Sequence, residues 1–418
     1  MYGEIITIGN ELIAGRTLDS NSCYAAGRLA SSGLSVTRIT SIGDDHRAVS
    51  EALTTAVKAS RFVIVTGGLG STSDDITNEI VAEALNRPLS PDRRLLEQIK
   101  RHAEARGIEM TPALEKMAWM PEGARKLSHE GTAFGFSLIQ KGARLYFLPG
   151  VPDQMRQLMD RVVLPELLSV YKALPVVRQH VLKVYGLDEP SIAGILEELE
   201  GKNKDIIFGF YPHFPENHIT MRLRGEDEPA VAEELGRIEE EIRRLLGIHI
   251  FAAGDQGMEE VVGHMLLAKG MTVSVAESCT GGQIGQRLTN VPGSSRYFLG
   301  GVVAYSNESK VDLIHVLPGT LEKHGAVSDK TVREMASGVR EQVKTDLGLA
   351  VTGIAGPDGG DKDKPVGTVH IGLATGNDIY SAKYRFWGNR EQIRLNSSMM
   401  ALDWIRRYLN GNPFLPGI

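Results

Sequence analysis

Residues 271 to 288, MTVSVAESCTGGQIGQRL, place an apolar run, a turn of small polar residues and a helix-forming segment in direct succession. The run from Met271 to Ala276 predicts a strand, and Gln283 to Leu288 predicts a helix. A strand that leads into a helix through a tight turn is typical of the βα units of α/β proteins. The C-terminal third of the chain is therefore expected to be an α/β domain built around this unit.

The turn inside this stretch predicts a reactive site. Ser278 would lie beside the first amides of the helix, which have no partner within the helix and can hold an oxyanion. Gly281 and Gly282 would let a substrate approach the backbone closely. The alternative is that Ser278 or Thr280 only caps the helix.

Length and composition exclude several classes of protein. At 418 residues the chain is too long for one ordinary core, and length alone gives roughly three domains. A hydrophobic share of 42% and a charged share of 23% are typical of a globular protein. The net charge of −6 provides no overall attraction for nucleic acid, and no apolar run approaches the ~20 residues that span a bilayer. Neither nucleic acid nor a membrane is expected as a partner.

The cysteines and the first residues predict the compartment. Cys23 and Cys279 are the only cysteines, and they fall in different predicted domains. Residues 2–8 lead straight into a predicted strand, without a charged and then apolar leader. A cytoplasmic protein without disulfides is expected.

Residues 1–172 alternate predicted strands and helices. Strands are predicted at Glu4 to Ile8, Ser35 to Ile42 and Phe62 to Thr66, and helices at Ser22 to Ser32 and Asp45 to Ser60. This alternation predicts a parallel sheet that is covered by helices on both faces.

A glycine-rich loop follows the third of these strands and opens the next helix. Such loops suit a phosphate, because the first helix amides are free and ligands collect at the carboxyl ends of parallel strands. The predicted phosphate-binding residues are Gly67, Gly68, Gly70, Ser71 and Thr72. The adjacent carboxylates of Asp74 and Asp75 either hold a divalent metal ion or interact with the positive end of the helix dipole.

The order of these segments resembles the molybdopterin-binding-like domain of the CinA (competence/damage-inducible) family, over nearly all of residues 1–172. Members usually carry G-G-L-G-P-T-x-D-D and G-T-A-P-G, whereas this chain has Ser71 and Phe134 in place of the two prolines and Ser128 in place of an asparagine. The resemblance implies an α/β sandwich that hydrolyses the pyrophosphate of ADP-ribose, with a divalent metal ion and K⁺ as candidate cofactors. The alternative is a domain that only binds a molybdopterin-like ligand.

Residues 173–253 follow a different pattern, which is strand, helix, strand, strand, helix, strand. This order predicts a ferredoxin-like α+β domain, a fold that hosts many unrelated functions. The last helix, Glu228 to Leu246, carries glutamate and arginine at i,i+4 spacing, which is typical of a solvated face. We expect this segment to be a spacer or the contact surface of a homodimer.

In residues 254–418, one lysine occupies an unusual position. Gly300 to Tyr305 predicts a strand, Asn307 predicts a helix N-cap, and Lys310 then lies in the first turn of that helix. The helix dipole disfavours a cation there, so the pKa of Lys310 should fall towards a value useful for a base. Lys310 near Ser278 would form a Ser–Lys hydrolase pair. Tyr305 either supports this pair or packs on the core.

Two further segments predict contacts with a substrate. A strand that ends at Thr352 leads into a glycine-rich loop containing Gly353 and Gly356. Arg390 and Arg394 lie four residues apart at the start of the last predicted helix, where guanidinium groups and free amides favour a phosphate. The alternative is that both arginines are simply exposed on a solvated helix.

Together, A-E-S-C-T-G-G, Y-S-N-E-S-K, V-T-G-I-A-G-P-D-G-G and G-N-R-E-Q-I-R resemble the nicotinamide-nucleotide amidohydrolase domain that ends CinA proteins, over residues 258–410. The resemblance implies an α/β domain that deamidates nicotinamide mononucleotide to the nicotinate form and ammonia, without a cofactor. Motif matching makes Ser278 the nucleophile, Lys310 the base and Tyr305 a supporting hydroxyl. The residues implied to bind substrate are Thr280, Gly281, Gly282, Thr352, Gly353, Gly356, Arg390 and Arg394.

The preferred hypothesis is a nucleotide hydrolase with two activities, one on nicotinamide mononucleotide and one on ADP-ribose, in the recycling of pyridine nucleotides. One rival is a ligand-binding protein whose C-terminal site is inert. Another is a cysteine hydrolase that uses Cys279, because a thiol at a helix N-terminus can have a depressed pKa. No histidine partner for such a thiol is evident in the sequence.

Overall fold

The computed structural model describes every residue except 71–74, 76, 106, 130–132, 173 and 418. The described residues form two compact units. One comprises Met1–Arg178 and Leu223–Glu233, and the other comprises Gln179–Arg222 and Glu234–Ile418. Within the described ranges, no helix is long and apolar enough to cross a membrane.

The N-terminal region contains the predicted alternation of strands and helices. Its strands are β1 (Tyr2–Ile8), β2 (Ser35–Ile42), β3 (Phe62–Thr66), β4 (Leu89–Pro91), β5 (Trp119–Pro121), β6 (Arg125–His129), β7 (Ala133–Gln140) and β8 (Ala143–Leu148). Its helices are α1 (Asn10–Ile13), α2 (Ser20–Ser31), α3 (His46–Ala59), α4 (Thr77–Ala84), α5 (Arg93–Ala105), α6 (Pro112–Lys116), α7 (Pro152–Leu158) and α8 (Leu164–Val170), the last two joined by a π-helical turn.

The main sheet of this region has the order β2-β1-β3-β8-β7-β6. The first four strands are parallel, and β7 and β6 are antiparallel additions. Alternate residues of β3 enter different cores: Val63 and Val65 pack with α3 and α4, whereas Phe62 and Ile64 pack with α2 and α7. The prediction of a parallel sheet covered on both faces is confirmed for these strands.

The middle region has the predicted βαββαβ order. It consists of β9 (Val176–Val184), α9 (Glu189–Lys202), β10 (Ile207–His213), β11 (Glu216–Gly225), α10 (Glu228–Leu246) and β12 (Ile250–Ala253). The strand order in the sheet is β10-β11-β9-β12, so the first and third strands of the region are neighbours. The ferredoxin-like prediction is therefore confirmed.

The C-terminal region is an α/β fold on a mixed sheet. Its strands are β13 (Val273–Glu277), β14 (Phe298–Val303), β15 (Leu347–Gly353), β16 (Thr368–Ala374) and β17 (Ile379–Arg385). Its helices are α11 (Met258–Lys269), α12 (Gln283–Thr289), α13 (Asn307–Ile314), α14 (Pro318–His324), α15 (Asp329–Val343) and α16 (Arg390–Leu409). The sheet order is β14-β13-β15-β16-β17, with the first three strands parallel and the last two antiparallel.

The alternation of side chains along β13 and β15 determines the face of the sheet on which Ser278 lies. Val275 and Leu349 point into a core formed with α11, α12 and α16, whereas Ala276 and Ala350 pack under α15. Because side chains alternate along a strand, Ser278 follows β13 on the α15 side of the sheet.

Three residues of the middle region, Tyr185, Phe251 and Ala252, belong to the same buried core as the C-terminal residues Val275 and Leu349. This shared core lies within the second compact unit.

Candidate active site

Ser278 and Lys310 form a hydrogen-bonded pair between two βα units. Ser278 follows β13, where its backbone amide donates to the carbonyl of Val351 on β15. Lys310 lies in α13, and its Nζ is 3.2 Å from the Oγ of Ser278. Both side chains are buried, at 8% and 1% exposure. The predicted meeting of these two residues is present in the structure.

The surroundings of Lys310 suit a neutral amine. Its Nζ donates to the carbonyl of Ala304 at 2.7 Å and to that of Tyr305 at 3.2 Å. Burial lowers the pKa of Lys310 from its usual value, because it penalises the charged form. The carbonyl of Ser306 is farther away, at 3.5 Å, so a neutral amine could give its two N–H groups to the two nearer carbonyls and turn its lone pair to the hydroxyl of Ser278. That is the arrangement a general base requires.

Helix α13 begins one residue earlier than its sequence indicates. The N-cap is Ser306, whose hydroxyl accepts from the amide of Ser309, and Asn307 is already the first helical residue. The prediction of Asn307 as the cap is therefore wrong. Serine and asparagine are comparable caps, and only the extended backbone at Ser306 distinguishes them. Lys310 keeps its place near the helix start, and its amide donates to the carbonyl of Ser306.

Glu277 occupies the helix amides that were expected to be free. Its buried carboxylate accepts from the amides of Gly282 at 3.0 Å, Ile284 at 3.1 Å and Gly285 at 2.8 Å. These bonds fix the turn that carries Ser278, but they remove the start of α12 as a source of oxyanion donors. In the described residues, the amides of Cys279 and Thr280 donate to no backbone carbonyl. They are the remaining backbone donors in this turn, and both also interact with the thiol of Cys279, where they lower its pKa against the larger effect of burial.

The two glycines of the turn adopt backbone conformations that other residues avoid. Gly281 has a φ of +60° and Gly282 a φ of +93°. A Cβ on Gly281 would stand 3.4 Å from Nη2 of Arg394. The glycines therefore permit the tight turn and the close approach of an arginine to it.

Cys279 faces away from the nucleophile site. Its side chain is a member of the buried core between the sheet and α12. Burial raises the pKa of its thiol to about 12, so the thiolate is scarce at neutral pH. The structure thus argues against Cys279 as the nucleophile.

Arg390 joins two of the predicted substrate-binding segments. Its Nη1 donates to the carbonyl of Gly356 at 2.6 Å, and its Nη2 donates to the hydroxyl of Tyr305 at 3.0 Å. Tyr305 has 60% of its surface exposed, and among the described contacts its hydroxyl bonds to neither Ser278 nor Lys310. Tyr305 therefore accepts a hydrogen bond from Lys310 through its carbonyl and one from Arg390 through its phenol.

Arg394 contacts the nucleophile turn itself. Its Nη2 donates to the carbonyl of Thr280 at 2.8 Å. Thr280 is fully buried, and its Oγ1 has no hydrogen-bond partner in the part of the chain that is described. Arg390 and Arg394 thus contact two segments of the site, the loop at Gly356 and the turn at Thr280, from the start of one helix, where their four-residue spacing predicts a shared face.

Thr352 and His370, a histidine that no sequence motif selects, extend the site along the sheet. The register pairs Glu277 with Val351, which places Ser278 next to Thr352, and pairs Thr352 with His370 on β16. The hydroxyl of Thr352 donates to the carbonyl of Ala326 at 2.8 Å. Burial lowers the pKa of His370 to about 4, which keeps its ring neutral. His370 sits inside an apolar strand, and only the register brings it beside the site.

Gly353 is constrained by neighbouring backbone rather than by a turn. A Cβ there would come within 2.8 Å of the carbonyl oxygen of Thr368 and 2.7 Å of the side chain of Val369. Close packing therefore already requires a glycine at this position, apart from its predicted role as a substrate contact.

The N-terminal glycine loop borders a cavity of about 340 Å³. Gly67, Gly68 and Gly70 line it, together with Asp75 and Phe134. Gly67 and Gly68 have positive φ angles, and a side chain would collide with Ile8 and Thr77. Ser71, Thr72 and Asp74 lie outside the described residues, so their predicted roles stay predictions.

Carboxylates on three different segments border the same cavity: Glu11, Asp44 and Asp75. Within the described ranges, no three histidine, cysteine or acidic side chains are gathered closely enough to hold a metal ion on their own. Magnesium is commonly held by one or two carboxylates and completed by substrate phosphates and water. The residues present fit a metal ion that arrives with a diphosphate.

Three family models match successive segments of the chain. The family described as "Probable molybdopterin binding domain" matches residues 4–169, "Damage-inducible protein CinA KH domain" matches 179–252, and "CinA C-terminal domain" matches 255–409. Residues 179–252 contain no G-x-x-G sequence, the loop by which KH domains clamp nucleic-acid backbone.

Relatives match over nearly the whole chain. A CinA-like protein of Desulfotalea psychrophila is 41% identical and covers 97% of this chain and 98% of its own length. A putative competence-damage inducible protein of Caldanaerobacter subterraneus is 39% identical, with coverages of 98% and 99%. A solved structure of competence/damage inducible protein CihA from Agrobacterium tumefaciens is 38% identical over 37% of this chain and 97% of its own, with a TM-score of 0.35. On its three matching domains and these full-length relatives, the chain belongs to the CinA family.

Proposed function

We propose that the C-terminal region is an amidase that converts nicotinamide mononucleotide into nicotinate mononucleotide and ammonia. The observation that carries this proposal is the buried Ser278–Lys310 pair, with 3.2 Å between Oγ and Nζ. A hydroxyl beside an amine whose pKa is lowered by burial is the arrangement of a Ser–Lys hydrolase. The resemblance of the C-terminal motifs supports the choice of substrate.

The reaction proceeds in two steps, which are the formation of an ester on Ser278 and its hydrolysis. In the first, Oγ of Ser278 attacks the carboxamide carbon while Lys310 takes the hydroxyl proton. The resulting oxyanion is held by the amides of Cys279 and Thr280, which are the backbone donors left by Glu277. Lys310 then gives its proton to the departing nitrogen, so that ammonia leaves and a nicotinoyl ester remains on Ser278.

In the second half, water replaces the leaving group. Lys310, neutral again, takes a proton from the water as its oxygen attacks the ester carbon. The tetrahedral intermediate collapses when Oγ of Ser278 leaves and recovers that proton. The net change is amide plus water to carboxylic acid plus ammonia, and the enzyme returns to its starting state.

The phosphate of the nucleotide binds at the start of α16. Arg390 and Arg394 bring two positive charges to a helix N-terminus, which attracts anions through its dipole and its free amides. Arg390 is exposed and its guanidinium bonds to Gly356 and Tyr305, which supports its role in contacting the phosphate. Thr352 and His370 line the sheet beside Ser278 and supply neutral polar groups next to the reacting amide.

The test is release of ammonia from nicotinamide mononucleotide by the purified full-length protein. Stoichiometric formation of nicotinate mononucleotide and ammonia supports the proposal. Absence of both products, with tight binding of a pterin ligand instead, would support the rival view of a ligand-binding protein.

The N-terminal cavity supports a second activity, hydrolysis of the pyrophosphate of ADP-ribose. The cavity is lined by glycines and by the carboxylates of Glu11, Asp44 and Asp75, and this combination suits a diphosphate together with a divalent metal ion. These carboxylates would hold the metal ion, which would neutralise the diphosphate and polarise it for attack by water. The readout is cleavage of ADP-ribose to AMP and ribose phosphate when a divalent cation is added.

A further inference from the structure

We propose that Tyr185, which lies outside the amidase motifs at the end of β9, is a positioning residue for the amidase site and acts through Asn396 on α16. This inference rests on the proposed deamidation of nicotinamide mononucleotide. It assigns to the middle region a part in substrate recognition, in place of the role of spacer.

The contact between Tyr185 and α16 is buried and specific. The phenol of Tyr185 donates to Oδ1 of Asn396 at 2.9 Å, and Tyr185 is only 3% exposed. Burial holds the pKa of this phenol well above its usual value, so the hydroxyl keeps the proton that it donates. The backbone amide of Tyr185 is itself fixed by the carbonyl of His249 at 2.9 Å.

A second contact from the same region holds the far end of α16. Nη2 of Arg406 donates to the carbonyl of Ile248 at 2.7 Å, and the guanidinium of Arg406 is also paired with the buried carboxylate of Asp403. The middle region therefore contacts α16 at two points, at Asn396 through Tyr185 and at Arg406 through Ile248. The bond from Tyr185 to His249 connects these two contacts. Helix α16 cannot slide along its axis without breaking one of these bonds.

The helix transmits this restraint to the phosphate site. With a rise of 1.5 Å per residue, Asn396 lies about 9 Å along the axis from Arg390 and about 3 Å from Arg394. Arg390 and Arg394 hold the carbonyls of Gly356 and Thr280 from the first turns of this helix. Ser278 and Lys310 belong to other elements, so a small axial shift of α16 would displace the phosphate contact of Arg390 directly and would reach the reacting pair only through the bond of Arg394 to Thr280.

The experiment compares Tyr185→Phe with wild type in the full-length protein. The variant removes one hydroxyl and keeps the aromatic ring in the core. Loss of a neutral buried hydrogen bond corresponds to a change of roughly 2- to 13-fold in an equilibrium constant. We expect KM for nicotinamide mononucleotide to rise by about that factor, kcat to stay within about twofold, and kcat/KM for the phosphate-free riboside to fall clearly less than that for the nucleotide.

Two further variants separate positioning from general stability. Tyr297→Phe is a matched control, because Tyr297 is also buried and, within the described residues, its hydroxyl bonds to the carbonyl of Leu288 on α12 and to no group of α16. It should lower the melting temperature by a similar amount and leave KM unchanged. Asn396→Ala keeps the longer contact of the phenol with the backbone carbonyl of Asn396 at 3.5 Å but removes the bond to Oδ1. It should therefore reproduce most of the KM effect of Tyr185→Phe, and the double variant should be no worse than Tyr185→Phe alone.

The outcomes distinguish the inference from the function on which it rests. An unchanged KM in Tyr185→Phe, or equal losses on nucleotide and riboside, overturns the inference while the amidase activity of the wild type stands. If the wild type releases no ammonia from nicotinamide mononucleotide, the proposed function fails and the inference falls with it.

Discussion

The Nζ of Lys310 lies 3.2 Å from the Oγ of Ser278, although the two residues are 32 positions apart and start from different strands. The parallel pairing of β13 with β14 brings the ends of these strands together, and the turn after β14 leads directly into α13. The reacting pair is therefore a product of sheet topology, and each residue can be tested separately.

Replacing Ser278 with alanine should reduce ammonia release by roughly 10³-fold or more, because the attacking atom is lost. Cys279→Ala is the matched control in the same turn. It should keep most of the activity, since burial raises the pKa of this thiol to about 12. A loss in Cys279→Ala as large as that in Ser278→Ala would assign the nucleophile to the thiol.

The pH profile reports on Lys310. Its pKa lies below the usual 10.5 because burial disfavours the ammonium. The neutral amine is the base, so kcat/KM should increase by about tenfold per pH unit up to that pKa and then level off. Lys310→Arg, which stays protonated, should be slow and show no such rise. A wild-type profile that falls from neutral to alkaline pH would contradict this role.

Arg390→Ala should weaken kcat/KM for nicotinamide mononucleotide by about 10- to 150-fold, which corresponds to the loss of a charge-assisted contact. The riboside, which lacks the phosphate, should be processed poorly by the wild type and no worse by the variant. Arg394→Ala should behave differently, because Arg394 also holds the carbonyl of Thr280 in the nucleophile turn and its loss should affect both substrates. Equal losses on both substrates in Arg390→Ala would remove Arg390 from the phosphate site.

Of the two proposed activities, only the cleavage of ADP-ribose should be sensitive to a metal chelator. Chelation should abolish cleavage of ADP-ribose and leave ammonia release intact, because the Ser–Lys steps need only protein groups. Replacing both Asp74 and Asp75 with asparagine should have the same selective effect, and Ser278→Ala the reverse one. Cleavage of ADP-ribose that survives the double replacement would place that chemistry elsewhere or in a contaminant.

Glu277→Gln should lower the free energy of unfolding of the protein without changing its fold. A glutamine can accept amides through one oxygen, but its NH₂ group would face amide donors that the carboxylate now satisfies. Leaving one buried donor unpaired costs about 1–3 kcal/mol. Thermal or urea unfolding measures this loss, and a melting temperature equal to that of the wild type would show that the three bonds contribute little.

Strands buried on both faces were the most predictable part of the fold. Phe62–Thr66, whose five residues are all buried, has the bounds that its sequence predicts, because a short apolar run between turn residues has few other stable conformations. Ser35–Ile42 is a largely exposed edge strand, and its bounds were also predicted because it is rich in valine, isoleucine and threonine. The short strands β4 and β5 were not predicted, since three residues carry too little periodicity to recognise.

The candidate site was predictable in its residues and only partly in its contacts. Ser278 and Lys310 could be paired from their positions at a strand end and a helix start. The capture of three helix amides by Glu277, and the bond from Arg390 to the phenol of Tyr305, depend on side-chain directions set by tertiary packing. His370 enters the site only through the antiparallel register of β16, which no local pattern encodes.

The opposite exposures of the two cysteines make the protein selectively labelable. Cys23 is exposed and Cys279 is buried in the core. A maleimide dye should therefore attach at a single position in the N-terminal unit, and iodoacetamide should leave ammonia release intact. A fluorophore on Cys23 could then report the melting of the N-terminal unit while catalysis reports the state of the C-terminal one, in the same sample and without any engineered mutation.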